Sequence, residues 1–290
     1  MQITPYTPGM TITPPCLISN MPNEVYHSMP GISKTGLDLI DRSPAHFRYR
    51  EPREPTRAMA IGTAIHTALL EPQRFATEYL LLRDITDRRS SVYKEAIKHR
   101  DPELVLTGTE ADRVAGMQES VYSQPKARAY LEAVGHRELS AFAKDPETGV
   151  LCRARFDLLT DDGRVLDIKK TQDARPIPFG RSVANYRYYV QDAFYSDVFE
   201  WATGQRLESF KFLAVEEKMP HAALIYELDD EAKAHGRKCY RENLNLYAQC
   251  VEADEWPGYV QEFEHLSLPS WMMAEIEMEN DENFTTGDEE

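Results

Sequence analysis

The chain has 290 residues, 42% of them apolar, enough to bury a sizeable core in one large domain with appended segments. No stretch approaches the roughly 20 consecutive apolar residues of a membrane-spanning helix. The opening MQITPYTPGMTITPP lacks the basic flank and apolar run of an export signal, so a cytoplasmic protein with no membrane partner is expected.

The formal charge of −15 argues at first against a polyanionic partner. Residues 251–290, however, hold 13 Asp/Glu and no Lys/Arg, which leaves residues 1–250 with 35 acidic against 33 basic residues, a net of −2. A near-neutral body permits a locally basic channel. Cys16, Cys152, Cys239 and Cys250 lie far apart, without the close pairs of a structural zinc site.

In chain order, residues 1–30 are rich in proline and turn formers and predict an extended arm. GISKTGLDLIDRSPAHFRYR predicts a short helix from Ser33 that Pro44 ends or restarts. Between 42 and 57, five arginines (Arg42, Arg48, Arg50, Arg53, Arg57) stand among aromatics and two glutamates, either a solvated connector or a phosphate-contacting face. Ile61, Ile65, Ala68 and Leu69 recur at helical spacing, so a helix with one apolar face carries His66. Residues 83–108 read as irregular. From Thr109, with Asp112 three positions on in a capping-box arrangement, a helix is expected to run to about Val134.

The pattern then changes to strands: ELSAFAK, the turn DPETG, VLCRARFDLLT, the turn DDG, and RVLDIKKT, an antiparallel meander. A helix centred on NYRYYVQDAFYSDVFEWATG should close near Gly204. The strands ESFKFLAVEE and HAALIYEL follow, then an amphipathic helix from about Asp229 to Cys250. The order predicts an α+β or α/β-like core, a mixed sheet flanked by helices.

Asp157 and Asp167 fall on neighbouring strands joined by a tight turn, so their carboxylates can converge. Strand side chains alternate faces, which sends Asp167 and Lys169 the same way and Ile168 into the opposite, apolar layer. Two carboxylates suit Mg²⁺ or Mn²⁺, and a nearby lysine can orient or deprotonate an attacking water. An ordinary salt-bridged, solvent-facing hairpin has the same spacing. The apolar flanks VLDI and FDLL count against it, because an unpaired charge there is costly. His66 alone reads first as a satisfied helix histidine, although its imidazole is a competent metal ligand. Gln191 and Tyr195, four apart on one helix face, are equally packing residues.

Four segments occur in one order: YHSMPGISKTGLDLIDRSPAHF; GTAIHTALLEP; RFD followed by LDIKKT; and YVQDAFYSDVF with its Q-x-x-x-Y element. Together with DEWPGY and LSLPSW, they resemble the PD-(D/E)xK nuclease superfamily over roughly residues 20–275. The resemblance is to its exonuclease VIII (RecE) branch, related to phage lambda exonuclease and RecB-type nuclease domains. It implies a restriction-endonuclease-like core with divalent metal on His66, Asp157, Asp167 and the Ile168 main-chain carbonyl. Lys169 would position the nucleophilic water, and Gln191 and Tyr195 would support the active centre and the DNA backbone. Ser33, Lys34 and Thr35 at a helix start would hold a terminal phosphate, with Arg42 and Arg48 the candidate phosphate contacts of the arginine-rich segment. Phe156 replaces the proline that names the motif, and Asp167 stands where other branches use glutamate. Neither change removes a ligand.

The resemblance also implies 5′-to-3′ digestion of one strand of linear duplex DNA by a homo-oligomeric ring. The 3′ overhangs would pass to recombination through a single-strand annealing partner of the RecT type. The expected organisation is an arm at 1–30, a nuclease domain at 31–268 and an acidic tail at 269–290. That tail is a solubilising segment, a nucleic-acid mimic or a docking surface, with Trp271, Met272 and Met273 as an apolar anchor. Two other functions compete. One is a different PD-(D/E)xK nuclease, an endonuclease or a helicase-linked enzyme, many of which carry an iron–sulfur cluster whose cysteine clustering is missing here. The other is a catalytically silent DNA-end-binding scaffold.

Overall fold

In the computed structural model of the chain, residues 2–51, 55–259, 263, 265–269 and 272–273 are described. Arg53, Trp271 and most of the acidic tail lie outside them. The chain divides into two compact units, residues 1–257 and 258–290, and every element named below belongs to the first.

The first thirty residues, expected as an extended arm, carry short regular elements. They form β1 (Ile3–Pro5), β2 (Cys16–Ser19) and α1 (Asn23–Ser28). Next, Ser33 caps α2 (Lys34–Arg42) by accepting from the Gly36 N–H at 3.3 Å, and Pro44 opens α3 (Pro44–Arg48). The histidine helix is α4 (Arg57–Leu70), followed by α5 (Pro72–Glu78) and β3 (Leu80–Leu82).

The stretch read as irregular contains α6 (Ser91–Ala96) and β4 (Val105–Thr107), which pairs parallel with β3 in a small second sheet. The capping box is one turn-half earlier than expected: Thr107 and Glu110 satisfy each other at the start of α7 (Gly108–Ser123). Pro125, which cannot continue a helix, separates it from α8 (Pro125–Leu131).

The meander appears as β5 (Gly135–Lys144), β6 (Leu151–Thr160) and β7 (Arg164–Thr171). The helix expected next is α10 (Tyr188–Thr203); a further helix, α9 (Pro176–Asn185), precedes it, and the two part at Arg187, whose φ of 51° is left-handed. Gly204, also left-handed, closes α10. β8 (Ser209–Glu216), β9 (Ala223–Glu227) and α11 (Asp230–Ala253) complete the domain. No helix of the described residues is long and apolar enough to cross a membrane.

The main sheet has seven strands in the order β1-β2-β5-β6-β7-β8-β9, with β1–β2 and β7–β8 parallel and the other pairs antiparallel. Helices cover both faces. One core joins Phe156, Phe212 and Ala214 of the sheet to Leu37 and Ile40 of α2, Phe194 of α10 and Tyr240 of α11. The other joins Leu158, Ile168 and Leu213 to Ile61 and Ile65 of α4 and Met117 of α7. The period-2 alternation of β7 and β8 therefore divides the two layers, as an α+β sheet buried on both faces requires.

Candidate active site

The site begins where β6 and β7 part. Their ladder runs through Leu159–Val165 and Leu158–Leu166, and at the next position Asp157 Oδ2 accepts the Ile168 main-chain N–H at 2.7 Å. The Asp157 side chain thus takes a donor that a continued ladder would use, and holds the strands apart at a carboxylate.

On one side of this opening, His66 Nδ1 lies 3.4 Å from Asp157 Oδ2. Glu138 joins them: one potential ligand atom each from His66, Glu138 and Asp157 lies within 4.8 Å of the others. That spread is close to the ~4.2 Å maximum separation of donors on one small cation with bonds of about 2.1 Å. Two carboxylates and an imidazole are a donor set that a divalent ion accepts, so these residues fit a metal.

Glu138 is the residue that reading the sequence missed. Flanking pairs Arg137–Leu158 and Leu139–Phe156 place it opposite Asp157, yet its φ of 50° takes it out of the ladder. A non-glycine residue in that region inside a strand is strained. Arg155 Nε donates to Glu138 at 2.6 Å, and Arg155 is held in turn by the Met21 carbonyl at 3.0 Å and lies over the Tyr26 ring. The N-terminal segment therefore reaches the site through Arg155.

On the other side, Asp167 is 2% exposed, forms an ion pair with Lys169, and accepts from Gln191 Nε2 of α10 at 2.6 Å. Ile168 between them packs in the α4 and α7 layer, as the alternation required. Tyr195, one turn after Gln191, packs edge-on against Phe156 and Phe210. Burial pushes its hydroxyl well above the usual tyrosine value, with Tyr26, Asp167 and Asp157 adding to the effect, so it stays protonated.

The electrostatics follow from burial. It pushes the Asp157 carboxyl up to about 7; His66 opposes the shift, while Asp167 and Glu138 add to it. Burial works against the Lys169 ammonium, but Asp167 and Asp157 outweigh it and hold the amine above its ordinary value. Lys169 is therefore a cation here, its Nζ 4.7 Å from the centre of the Tyr188 ring.

The family model described as "PDDEXK-like domain of unknown function (DUF3799)" matches residues 37–269. The chain belongs to this family. The "Putative exonuclease" of Eubacterium rectale superposes on the PDDEXK-like chain with a TM-score of 0.59 at 12% identity, covering 88% of this chain and 98% of its own. At that identity the likeness is one of fold. A phage related exonuclease from Haemophilus somnus 129PT covers 62% of this chain and 99% of its own at 12% identity, with a TM-score of 0.29 that is too low to bear on the fold. No curated protein matches the sequence.

The other expected contacts of this PDDEXK-like domain are dispersed. Ser33 spends its hydroxyl on the α2 cap, and Thr35 is exposed. Lys34 bonds the Tyr186 carbonyl and pairs with Asp38 at 2.7 Å, close enough to Lys169 for the two cations to repel. Arg42 is exposed in the last turn of α2, away from that helix start, and Arg48 lies over Trp256 at 5.9 Å. Arg57, one of the five arginines, is committed to Glu110 and to the Val105 carbonyl at 2.8 Å, so it braces α4 against α7.

Proposed function

We propose that this protein is a metal-dependent DNA nuclease, and specifically an exodeoxyribonuclease that digests one strand of linear duplex DNA from the 5′ end to leave 3′ overhangs for strand annealing. The observation that carries the reading is the junction of two clusters. The donor set His66, Glu138 and Asp157 is joined through the Ile168 amide to the buried Asp167, Lys169 and Gln191.

His66, Glu138 and Asp157 would hold Mg²⁺ or Mn²⁺, with Asp167 and the Ile168 carbonyl as further oxygen donors; such an ion lowers the pKa of its water and withdraws charge from phosphate oxygens. The chain's own contribution is positional. Asp157 is fixed by the Ile168 N–H. Asp167 is fixed by Gln191, and Asp167 in turn fixes Lys169. The Lys169 ammonium orients the attacking water and faces the charge that grows on the phosphate. Tyr195, one turn beyond Gln191 on α10, would support the active centre beside these carboxylates. Lys34 and the arginines of 42–50 are the candidates for holding the DNA backbone, with Ser33 and Thr35 flanking Lys34.

The reading includes a homo-oligomeric ring, in which a near-neutral body repeats one modest basic surface around its substrate. It also includes a RecT-type annealing partner. The test is to incubate linear, nicked and covalently closed duplex DNA with the protein, with and without Mg²⁺ or Mn²⁺. Loss of linear DNA alone is expected, from one strand, and Asp167→Ala and Lys169→Ala should slow it by several orders of magnitude. Cutting of closed circles would make the enzyme an endonuclease, and no cutting at all would leave a DNA-end scaffold.

A further inference from the structure

Tyr186 caps the C-terminus of α9 and is 62% exposed. Its ring stacks on Tyr188, centroids 5.7 Å apart and planes within 24°. Tyr188 stacks in turn on the buried Phe212, at 5.5 Å and 22°. A column of three nearly parallel rings thus runs from the core to the surface. The Lys169 ammonium lies against it, 4.7 Å from the Tyr188 centroid and 5.8 Å from that of Phe212.

Single exposed aromatics are ordinary on protein surfaces. This one differs because its backbone is pinned. Lys34 donates to the Tyr186 carbonyl. Arg187, in its left-handed conformation, pairs with Asp38 at 3.2 Å and Asp41 at 3.0 Å and donates to Asn243 at 2.9 Å. A strained turn is therefore held by four contacts around an exposed ring, with the ring adding little to the core. Strain maintained in this way is the mark of a presented group. Its ring is the outer end of the stack, and the neighbouring cations Lys34 and Lys169 suit the phosphates on either side of a base.

We propose that Tyr186 is a stacking platform for the terminal nucleobase of the strand being cut, so that the base seats on the column while its phosphate lies at Lys169. The inference rests on the nuclease reading and adds a substrate-positioning residue to it. A nucleobase is the occupant of choice because every base presents a flat π face, which makes such a platform tolerant of sequence.

The test compares wild type, Tyr186→Phe and Tyr186→Ala on a linear duplex with 2-aminopurine as the terminal base of the cut strand. Ca²⁺ replaces Mg²⁺ for the binding measurement. Wild type and Tyr186→Phe should quench the fluorescence on binding; Tyr186→Ala should not. In turnover, Tyr186→Ala should raise KM by about 5- to 150-fold, the equivalent of one base–aromatic stack, with kcat within about threefold and an unchanged melting temperature. A Tyr186→Ala enzyme with wild-type KM and wild-type quenching overturns the platform while leaving the nuclease intact. So does Tyr186→Phe failing as badly as Tyr186→Ala, or an alanine variant altered only in oligomer mass. A wild-type protein that cuts no DNA removes the nuclease reading and this inference with it.

Discussion

Arg155 Nε donates to the Glu138 carboxylate at 2.6 Å, directly across the strand pair from Asp157. A metal ion at Glu138 must compete with that guanidinium. We expect Glu138→Gln to weaken Mn²⁺ binding by at least about tenfold, as loss of a member of a metal site does, while the fold is kept. Calorimetric titration checks this, and an unchanged affinity removes Glu138 from the ligand set.

The Lys169–Asp167 pair should be costly to break from one side. With Asp167 2% exposed, Lys169→Ala strands a buried carboxylate and should cost about 3–5 kcal/mol in metal-free urea unfolding near pH 8. The double variant Lys169→Met with Asp167→Asn should recover most of that stability and stay inactive. If the single variant unfolds like wild type, Asp167 is solvated and the pair is not the anchor described above.

Asp192 on α10 supplies a pH dependence outside the active site. It is 2% exposed and its Oδ2 has no hydrogen-bond partner among the described residues. Burial pushes its carboxyl up to about 7, with Lys233 opposing. The folded chain then keeps a proton that the unfolded chain has released. The contribution to stability is complete below the unfolded value of 3.8 and is lost as pH rises through about 7. Asp192→Asn should therefore be the more stable protein at pH 8, by up to about 4 kcal/mol, and should lose that advantage toward pH 4. Thermal melts across this range test it; a pH-independent difference contradicts the assignment.

Gly236 of α11 permits a close helix crossing. A Cβ there would sit 2.0 Å from the Tyr189 carbonyl oxygen. Gly236→Ala should push α11 off the start of α10, cost about 1–3 kcal/mol, and displace the turn that carries Tyr186. A lower melting temperature together with a raised KM is expected, and a variant that melts like wild type shows the contact to be slack.

Much of the domain was legible. The β5–β6–β7 meander, the α4 helix with His66 and the opposite facing of Asp167 and Ile168 all follow from period-2 and period-3.6 patterning. Glu138 was legible too, but only by geometry: folding the hairpin about DPETG pairs Lys144 with Leu151 and so carries Glu138 to Asp157, nineteen residues away. Pattern reading stopped short because it began the strand at that glutamate. The break at Arg187 left no local signal, since a non-glycine left-handed residue is chosen by its partners Asp38, Asp41 and Asn243 rather than by its own preference. For Arg57 the sequence leaves a solvated connector and a phosphate-contacting face both open, and only folding reveals Glu110 beside it.

The two N-terminal strands carry a practical consequence for anyone trimming the chain. The family match starts at residue 37, beyond both of them. β1 is a blunt border, three residues ending at Pro5, whereas β5 behind it is ten residues long and pairs with β2 through Ser140, Ala141 and Phe142. A fragment cut to the matched span would present that longer strand as a raw margin, with its amides and carbonyls open to any passing chain. It would also take Tyr26 and the Met21 carbonyl away from Arg155. Such a fragment should self-associate and lose metal affinity together.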